Sequence, residues 1–175
     1  MTQDERIKQF DELMGDIVPS EVRASLIDRG FFHAPASTKY HGSYEGGLFD
    51  HSYYVAFYLN RLTKDNELVW RNPRSPLLVG MFHDLCKIDQ YKKSNGEFPY
   101  EYNPDTLIKG HGDKSVMLLS EYFSLTQEEI LCIRYHMGAF TDKEEWRDYT
   151  RAVNNYANVL WTHHADMLAS HVMGV

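Results

Sequence analysis

Met81-Phe82-His83-Asp84-Leu85-Cys86-Lys87 is the stretch on which the reading of this chain turns. A histidine and an aspartate sit side by side in an otherwise apolar run, after Leu77-Leu78-Val79-Gly80 and before Leu85-Cys86. A buried carboxylate or imidazole is costly unless it is hydrogen-bonded, paired or bound to a metal. The dipeptide carries little weight alone, since nine of the 175 residues are histidine. Its weight comes from what the rest of the chain brings toward it.

Working outward, Ser75 and Pro76 open the helix that carries the pair, as a serine N-cap with proline at the first helical position. This helix is expected to end near Lys87 or Ile88. A polar connection, Lys64 to Arg74, precedes it. Before that, Leu48, His51, Val55, Tyr58, Leu59 and Leu62 share one face of a helix over 48–62. Further upstream, Thr2 and Glu5 form a capping box for a first helix with Ile7, Phe10, Leu13, Met14 and Ile17 on its stripe. Pro19-Ser20 opens a short second helix that places Val22, Leu26 and Ile27 inward. Phe31 to Gly47 reads as a loop punctuated by Pro35 and glycines.

Downstream, Asp89 to Asn103 reads as a small β-hairpin turning at Asn95-Gly96, with Pro99 keeping it an irregular arm. A helix starts near His111 and continues through Val116, Leu119 and Tyr122. Thr126 and Glu129 form a second capping box, for a helix with Ile130, Ile133 and Met137 inward and His136 at its end. Ala139 to Tyr149 is a charged loop. The last helix spans about 150–173, and Val153, Tyr156, Val159, Leu160, His163, Asp166 and Met167 form its inner face. The expected architecture is all-α, six or seven helices with one small β-hairpin arm. It forms a single domain over 1–175, with a helical N-terminal extension, 1–40, before a core spanning 40–170.

Composition narrows the function. A formal charge of −7 argues against a broad footprint for duplex nucleic acid. It leaves room for a small basic site that holds one phosphate. No apolar run approaches the length of a membrane span, and the N-terminus has no apolar signal core. The two cysteines, Cys86 and Cys132, lie far apart in apolar surroundings and read as reduced core residues. The expectation is a cytoplasmic protein with no membrane partner; homo-oligomer formation is left open.

Four separate helices each offer an imidazole to the interior: His51, His83, His111 and His136. Asp84 and Asp166 add carboxylates. Singly, each has an ordinary explanation, such as a hydrogen-bonded core histidine or a helix-terminal one facing the dipole. Together they have little reason to gather unless they share a cation. Imidazole with carboxylate suits Mn, Fe, Co, Ni or Zn, with Mg admissible at a carboxylate-rich position. No set of cysteines exists for a structural zinc site of thiolate type. His33 and His41, in the glycine-rich loop, have no spacing that requires them at the site. His164 and His171 fall off the inner stripe or far from Asp166.

These residues resemble the HD-domain metal-dependent phosphohydrolases. That family's pattern of a first His, a His-Asp pair and a late Asp matches His51, His83, Asp84 and Asp166. Gly46-Gly47-Leu48-Phe49-Asp50-His51, His83-Asp84-Leu85-Cys86-Lys87, Gly110-His111-Gly112, His136 and His163-His164-Ala165-Asp166 resemble a subgroup with two further histidines. The HD module of bacterial 3′–5′ exoribonucleases has this order, and the cyclic-dinucleotide phosphodiesterases have a related signature. Two departures stand out. Met137 occupies the place where many relatives carry another histidine. Only about forty residues precede the match, and they read as helical, with no room for the exoribonucleases' nucleic-acid-binding domain.

The resemblance implies one or two divalent metal ions. One is held by His51, His83, Asp84 and Asp166, the second by Asp84 as a bridge with His111 and His136. It implies hydrolysis of a phosphate mono- or diester, of a nucleotide or a similar small phosphorylated substrate, by a metal-activated water. Asp84 is then catalytic as well as a ligand. Lys87 resembles the lysine of the family's motif and holds a substrate phosphate, or else simply complements a helix C-terminus. The arm 90–103 and the loop 140–149 frame the entrance. Lys92, Lys93, Lys109 and Lys114 are either phosphate attractors or solvated charges. A catalytically silent binding module and a di-iron oxygenase are the alternatives on the same fold.

Overall fold

The computed structural model describes residues 1–175 as eight α-helices and one two-stranded hairpin. The helices are α1 (Gln3–Met14), α2 (Ser20–Asp28), α3 (Gly47–Asp65), α4 (Ser75–Phe82), α5 (Gly112–Leu119), α6 (Gln127–Arg134), α7 (Trp146–Asn155) and α8 (Asn158–Met167). Strands β1 (Tyr91–Lys93) and β2 (Tyr100–Tyr102) pair antiparallel, with Tyr91 opposite Tyr102 and Lys93 opposite Tyr100. The all-α expectation with a hairpin arm holds.

The central element is α3, which packs against α4 and α8. Its contact with α4 is close because Gly80 has no side chain: a Cβ there would lie 2.4 Å from the Ala56 Cα. Both capping boxes form, Thr2 with Glu5 and Thr126 with Glu129. Phe10, Phe31, Phe32, Phe49 and Phe82 interlock largely edge-to-face, with centroid separations from 5.3 Å to 6.5 Å among the contacting rings. Edge-to-face contact suits the ring quadrupoles. The cluster joins α1, the loop after α2, α3 and α4, and it lies directly behind His83 in the chain. The loop 31–47 is thus partly core: Phe31, Phe32 and Ala36 are fully buried.

Several element boundaries differ from the sequence reading. The helix carrying the pair stops at Phe82, not at Lys87. Asp84 takes φ −105°, ψ 19°, and a 3₁₀ turn, Leu85–Ile88, follows. The reason is a competing acceptor: the Cys86 amide donates to Ser115 Oγ at 3.0 Å instead of continuing the helical ladder. Ser75 is not the N-cap; it is buried and its hydroxyl donates to Glu129 Oε1 at 2.8 Å. The fifth helix ends at Leu119, before Tyr122. The hairpin does not close in two residues at Asn95-Gly96: the strands stop at Lys93 and Tyr100, and the Ser94 amide donates to Pro99 O at 3.0 Å.

The single last helix is two. Tyr156 is extended at φ −140°, ψ 95°, its hydroxyl donating to Gln127 Oε1 at 3.0 Å. Asn158 then starts α8 with its amide donating to Val69 O and Glu128 Oε1, both at 2.8 Å. The break leaves Leu160 37% exposed instead of inward. Beyond Met167 the chain widens into a π-helical turn, Leu168–Met173. No helix is long and apolar enough to cross a membrane.

Candidate metal centre

Each functional side chain is delivered by the end or the interior of a different element. His51 lies one turn into α3, and His83 and Asp84 lie at the break after α4. His111 immediately precedes α5, His136 follows the end of α6, and Asp166 is near the end of α8. The close α3–α4 contact through Gly80 brings His51 and His83 to an Nε2–Nε2 separation of 3.2 Å. Gly112 does the same between α5 and the end of α6, since a Cβ there would lie 2.3 Å from the Arg134 carbonyl oxygen. His111 and His136 then face each other with Nε2 atoms 3.0 Å apart.

Asp84 stands between the two imidazole pairs. Its Oδ2 is 3.6 Å from His51 Nε2 and 3.5 Å from His83 Nε2. Its Oδ1 is 3.2 Å from His111 Nε2 and 3.4 Å from His136 Nε2. Asp166 Oδ1 closes the first pair, 3.2 Å from His51 Nε2. Three groups draw their ligand atoms within 4.8 Å of one another: His51, His83 and Asp84; His83, His136 and Asp166; and Asp84, Cys86 and His111. The structure therefore gathers all six residues singled out from the sequence.

The donor chemistry suits a cation. Nδ1 of His83 donates to Gly80 O at 2.8 Å, Nδ1 of His136 to Ile133 O at 2.7 Å, and Nδ1 of His51 to Val175 O at 2.9 Å. A carbonyl can only accept, so each Nδ1 carries a proton and each ring turns its Nε2 toward the cluster, free to bind a cation when that nitrogen is unprotonated. Such carbonyl-held imidazoles are the usual outer support of metal-binding histidines. Two imidazole nitrogens at 3.2 Å need a proton or a cation between or beside them. Asp84 Oδ1 is buried and has no hydrogen-bond donor. The contrast with buried Glu128 and Glu129 is informative. Glu129 takes donors from Ser75 and Thr126, and Glu128 from Asn158 and the Arg71 amide. Those two carboxylates are satisfied structural groups; Asp84 is not.

Burial and charge set the protonation states. Burial holds His83 below the ordinary histidine range and pushes His111 down to about 3. Burial also opposes charge on His136, but the Asp84 carboxylate 3.4 Å away outweighs this and raises it. For Asp84, burial favours the neutral acid, yet Lys87, His83 and His111 hold it well below the carboxylate range. Burial and the nearby Asp84 push the Cys86 thiol up to about 12, so it sits beside His111 as a neutral thiol, Sγ to Nδ1 3.3 Å.

Lys87 is 8% exposed, and its Nζ is 2.7 Å from Asp84 Oδ2. Burial works against its charge, and the Asp84 carboxylate more than offsets this, so it stays an ammonium. It lines the same cleft as the cluster, which measures about 1010 Å³. The other lysines proposed to attract phosphate do not line it. Lys114 is buried and bound to Asp89 and Thr106, Lys92 pairs with Glu101, and Lys93 pairs with Glu45.

Three histidines enter the site without having been assigned to it. His41 stacks at 5.0 Å from the His51 ring, held in a tight loop by the Ser37 hydroxyl donating to its carbonyl. Burial lowers its pKa to about 4, so it is a neutral ring. His163 donates Nδ1–H to His136 O at 2.8 Å and lines the cleft, as does His171 on the π-helical turn. His163 had a signal, its position one turn before Asp166 on the inner face. His41 had none, because its approach depends on a loop fold. His33 stays outside, paired with Glu45 at 3.1 Å.

A family model described as HD domain matches residues 48–168. That stretch begins within α3 and ends after α8, so it contains all six cluster residues. No curated protein and no solved structure matches the chain.

Proposed function

Because this chain belongs to the HD-domain family, we propose that it is a metal-dependent phosphohydrolase acting on a phosphate ester of a small, nucleotide-like molecule. The observation that carries this reading is Asp84: a buried carboxylate whose two oxygens face two different imidazole pairs, one oxygen lacking any donor. A neutral imidazole at that position could not serve both pairs, whereas a carboxylate can.

In this reading His51, His83, Asp84 and Asp166 would hold one divalent ion, and Asp84, His111 and His136 would hold another. Ions of the Mn, Fe, Co, Ni, Zn or Mg class would supply Lewis acidity toward the phosphoryl oxygens and a lowered pKa for a bound water. The protein does the rest. The carbonyls of Gly80, Ile133 and Val175 fix the tautomers of three imidazoles, so their lone pairs are aligned before substrate arrives. Lys87 is a fixed positive charge at the floor of the cleft, placed to meet negative charge that develops on a phosphoryl group. Asp84, held ionised, keeps that ammonium in place.

The motif order resembles exoribonuclease HD modules, but α1 and α2 pack into the same core as the helices of the site. Exonuclease activity is therefore not part of the proposal. The test is a metal-supplemented assay on bis-p-nitrophenyl phosphate, p-nitrophenyl phosphate and a nucleotide panel. Turnover that requires Mn, Ni, Co, Fe, Zn or Mg and vanishes with EDTA is expected. Turnover indifferent to chelation sinks the reading.

A further inference from the structure

Of the formal charges lining the cleft, only two are permanent cations, Lys87 and Arg134. Both are already committed. Lys87 pairs with Asp84 at 2.7 Å. Arg134 sits between Asp113, Nε to Oδ1 3.2 Å, and Glu145, Nη2 to Oε2 3.4 Å. Asp142 lines the same wall and has no cationic partner within ion-pair distance. This wall adjoins the second imidazole pair in the chain itself. Asp113 follows His111 by two residues, and Arg134 precedes His136 by two. Two carboxylates therefore flank one guanidinium beside the second imidazole pair, and Asp142 adds a third to the lining with no cationic partner.

The remaining lining is of another kind. Tyr91 and Tyr102 face each other on the arm with ring centroids 5.3 Å apart, and Tyr102 is 68% exposed. Tyr40 and Phe140 add exposed rings. The cleft, about 1010 Å³, is far larger than a phosphate group requires. It offers rings for a flat body and, beside the second imidazole pair, a wall that carries Asp113 and Glu145.

Resting on the hydrolase reading, we propose that the substrate is a phosphate monoester with a single phosphate on a neutral, ring-bearing body, and that Asp113, Asp142 and Glu145 turn away polyphosphates and dinucleotides. The phosphoryl charge is met at the Asp84 cluster and Lys87. A β- or γ-phosphate would instead lie against carboxylates with no free cation to answer it. Like charges lining one cleft, partly screened by solvent, are sufficient for about tenfold discrimination per added phosphate. The body stacks on the Tyr91–Tyr102 arm, which selects for a flat ring without adding charge.

The experiment compares kcat/KM of the metal-loaded 175-residue chain for AMP, ADP, ATP and a cyclic dinucleotide. AMP is expected to exceed ADP by about tenfold or more, and ATP and the dinucleotide by more again. The ratio should fall as ionic strength rises, since exposed charges are screened. In the Asp142→Asn/Glu145→Gln double variant the ADP and ATP values should rise relative to AMP by about threefold or more. ADP or ATP turned over as efficiently as AMP overturns the proposal and leaves the hydrolase reading standing. A ratio that neither salt nor the double variant moves also overturns it. No turnover of any ester with any metal removes the hydrolase reading, and this proposal with it.

Discussion

Lys87 Nζ lies 2.7 Å from Asp84 Oδ2, across the 3₁₀ turn that Asp84 caps just after the break at His83. The 3₁₀ turn Leu85–Ile88 that follows the end of α4 at Phe82 brings the lysine back onto its partner three residues before it. A charge pair this buried is destabilising to break from one side only. It also leaves the ammonium at the cleft floor. Lys87→Ala is therefore expected to lower kcat/KM for phosphate esters by about 10²-fold or more, the usual size for loss of one preorganised charge. Metal content per chain should stay at the level of the unmodified protein. Elemental analysis alongside kinetics decides: a large loss of metal in the variant would make Lys87 a support for Asp84 and nothing more.

Asp84 joins the two halves of the cluster, while His51 and His111 each belong to one half. Elemental analysis after dialysis against Mn or Zn should give more than one ion per chain. Asp84→Ala should lose metal from both halves. His51→Ala and His111→Ala should each lose about one ion and keep the other. Full metal retention in Asp84→Ala would show that the carboxylate bridges nothing.

What could be read from the sequence followed from local chemistry. Capping boxes at Thr2 and Thr126 and the apolar stripe through Leu48, His51, Val55 and Leu59 depend on neighbours a few residues away, and all are seen. The boundaries that moved were set by distant partners. Ser75 cannot cap α4 because Glu129 takes its hydroxyl. The helix cannot pass Phe82 because Ser115 takes the Cys86 amide. The same holds in the site. The aspartates and the four histidines stood out because each lies beside an apolar face. His41 did not, because only the folded loop 36–43 carries it to His51. The lysines proposed as phosphate attractors looked free in sequence, and acids remote along the chain bind three of them.

Gly80 sets the spacing of the first imidazole pair. A Cβ there would meet the Ala56 Cα at 2.4 Å and the Ala56 N at 2.7 Å, both backbone atoms that cannot turn aside. Gly80→Ala must push α4 away from α3, and its carbonyl is also the acceptor for His83 Nδ1. Over-packing of this kind costs about 1–3 kcal/mol. Thermal unfolding should show that loss, and metal affinity should fall although no ligand has been changed. A variant with unaltered melting and metal content would show that the α3–α4 contact is looser than the geometry states.

Arg6 ties the N-terminal helix to the site from the far side. Its guanidinium makes two hydrogen bonds to Asp50, Nε to Oδ1 2.8 Å and Nη2 to Oδ2 2.9 Å, with both residues buried. Asp50 directly precedes His51, and Gly46, at φ +84°, leaves room for the guanidinium where a Cβ would strike it. Arg6→Ala leaves a buried carboxylate unpaired at the start of α3, a change that costs about 3–5 kcal/mol. The urea midpoint should fall accordingly. Arg6→Lys should recover only part of the loss, because one ammonium cannot reproduce the paired contacts. Replacing both partners, Arg6→Met with Asp50→Leu, should restore more of the stability than Arg6→Ala retains, since no unpaired charge is then buried. We infer from this tie, and from Phe10 and Met14 lying in the shared core, that residues 1–40 are integral to a single folding unit. A chain shortened to residues 41–175 that still unfolds cooperatively and binds metal like the protein with residues 1–40 in place would refute that.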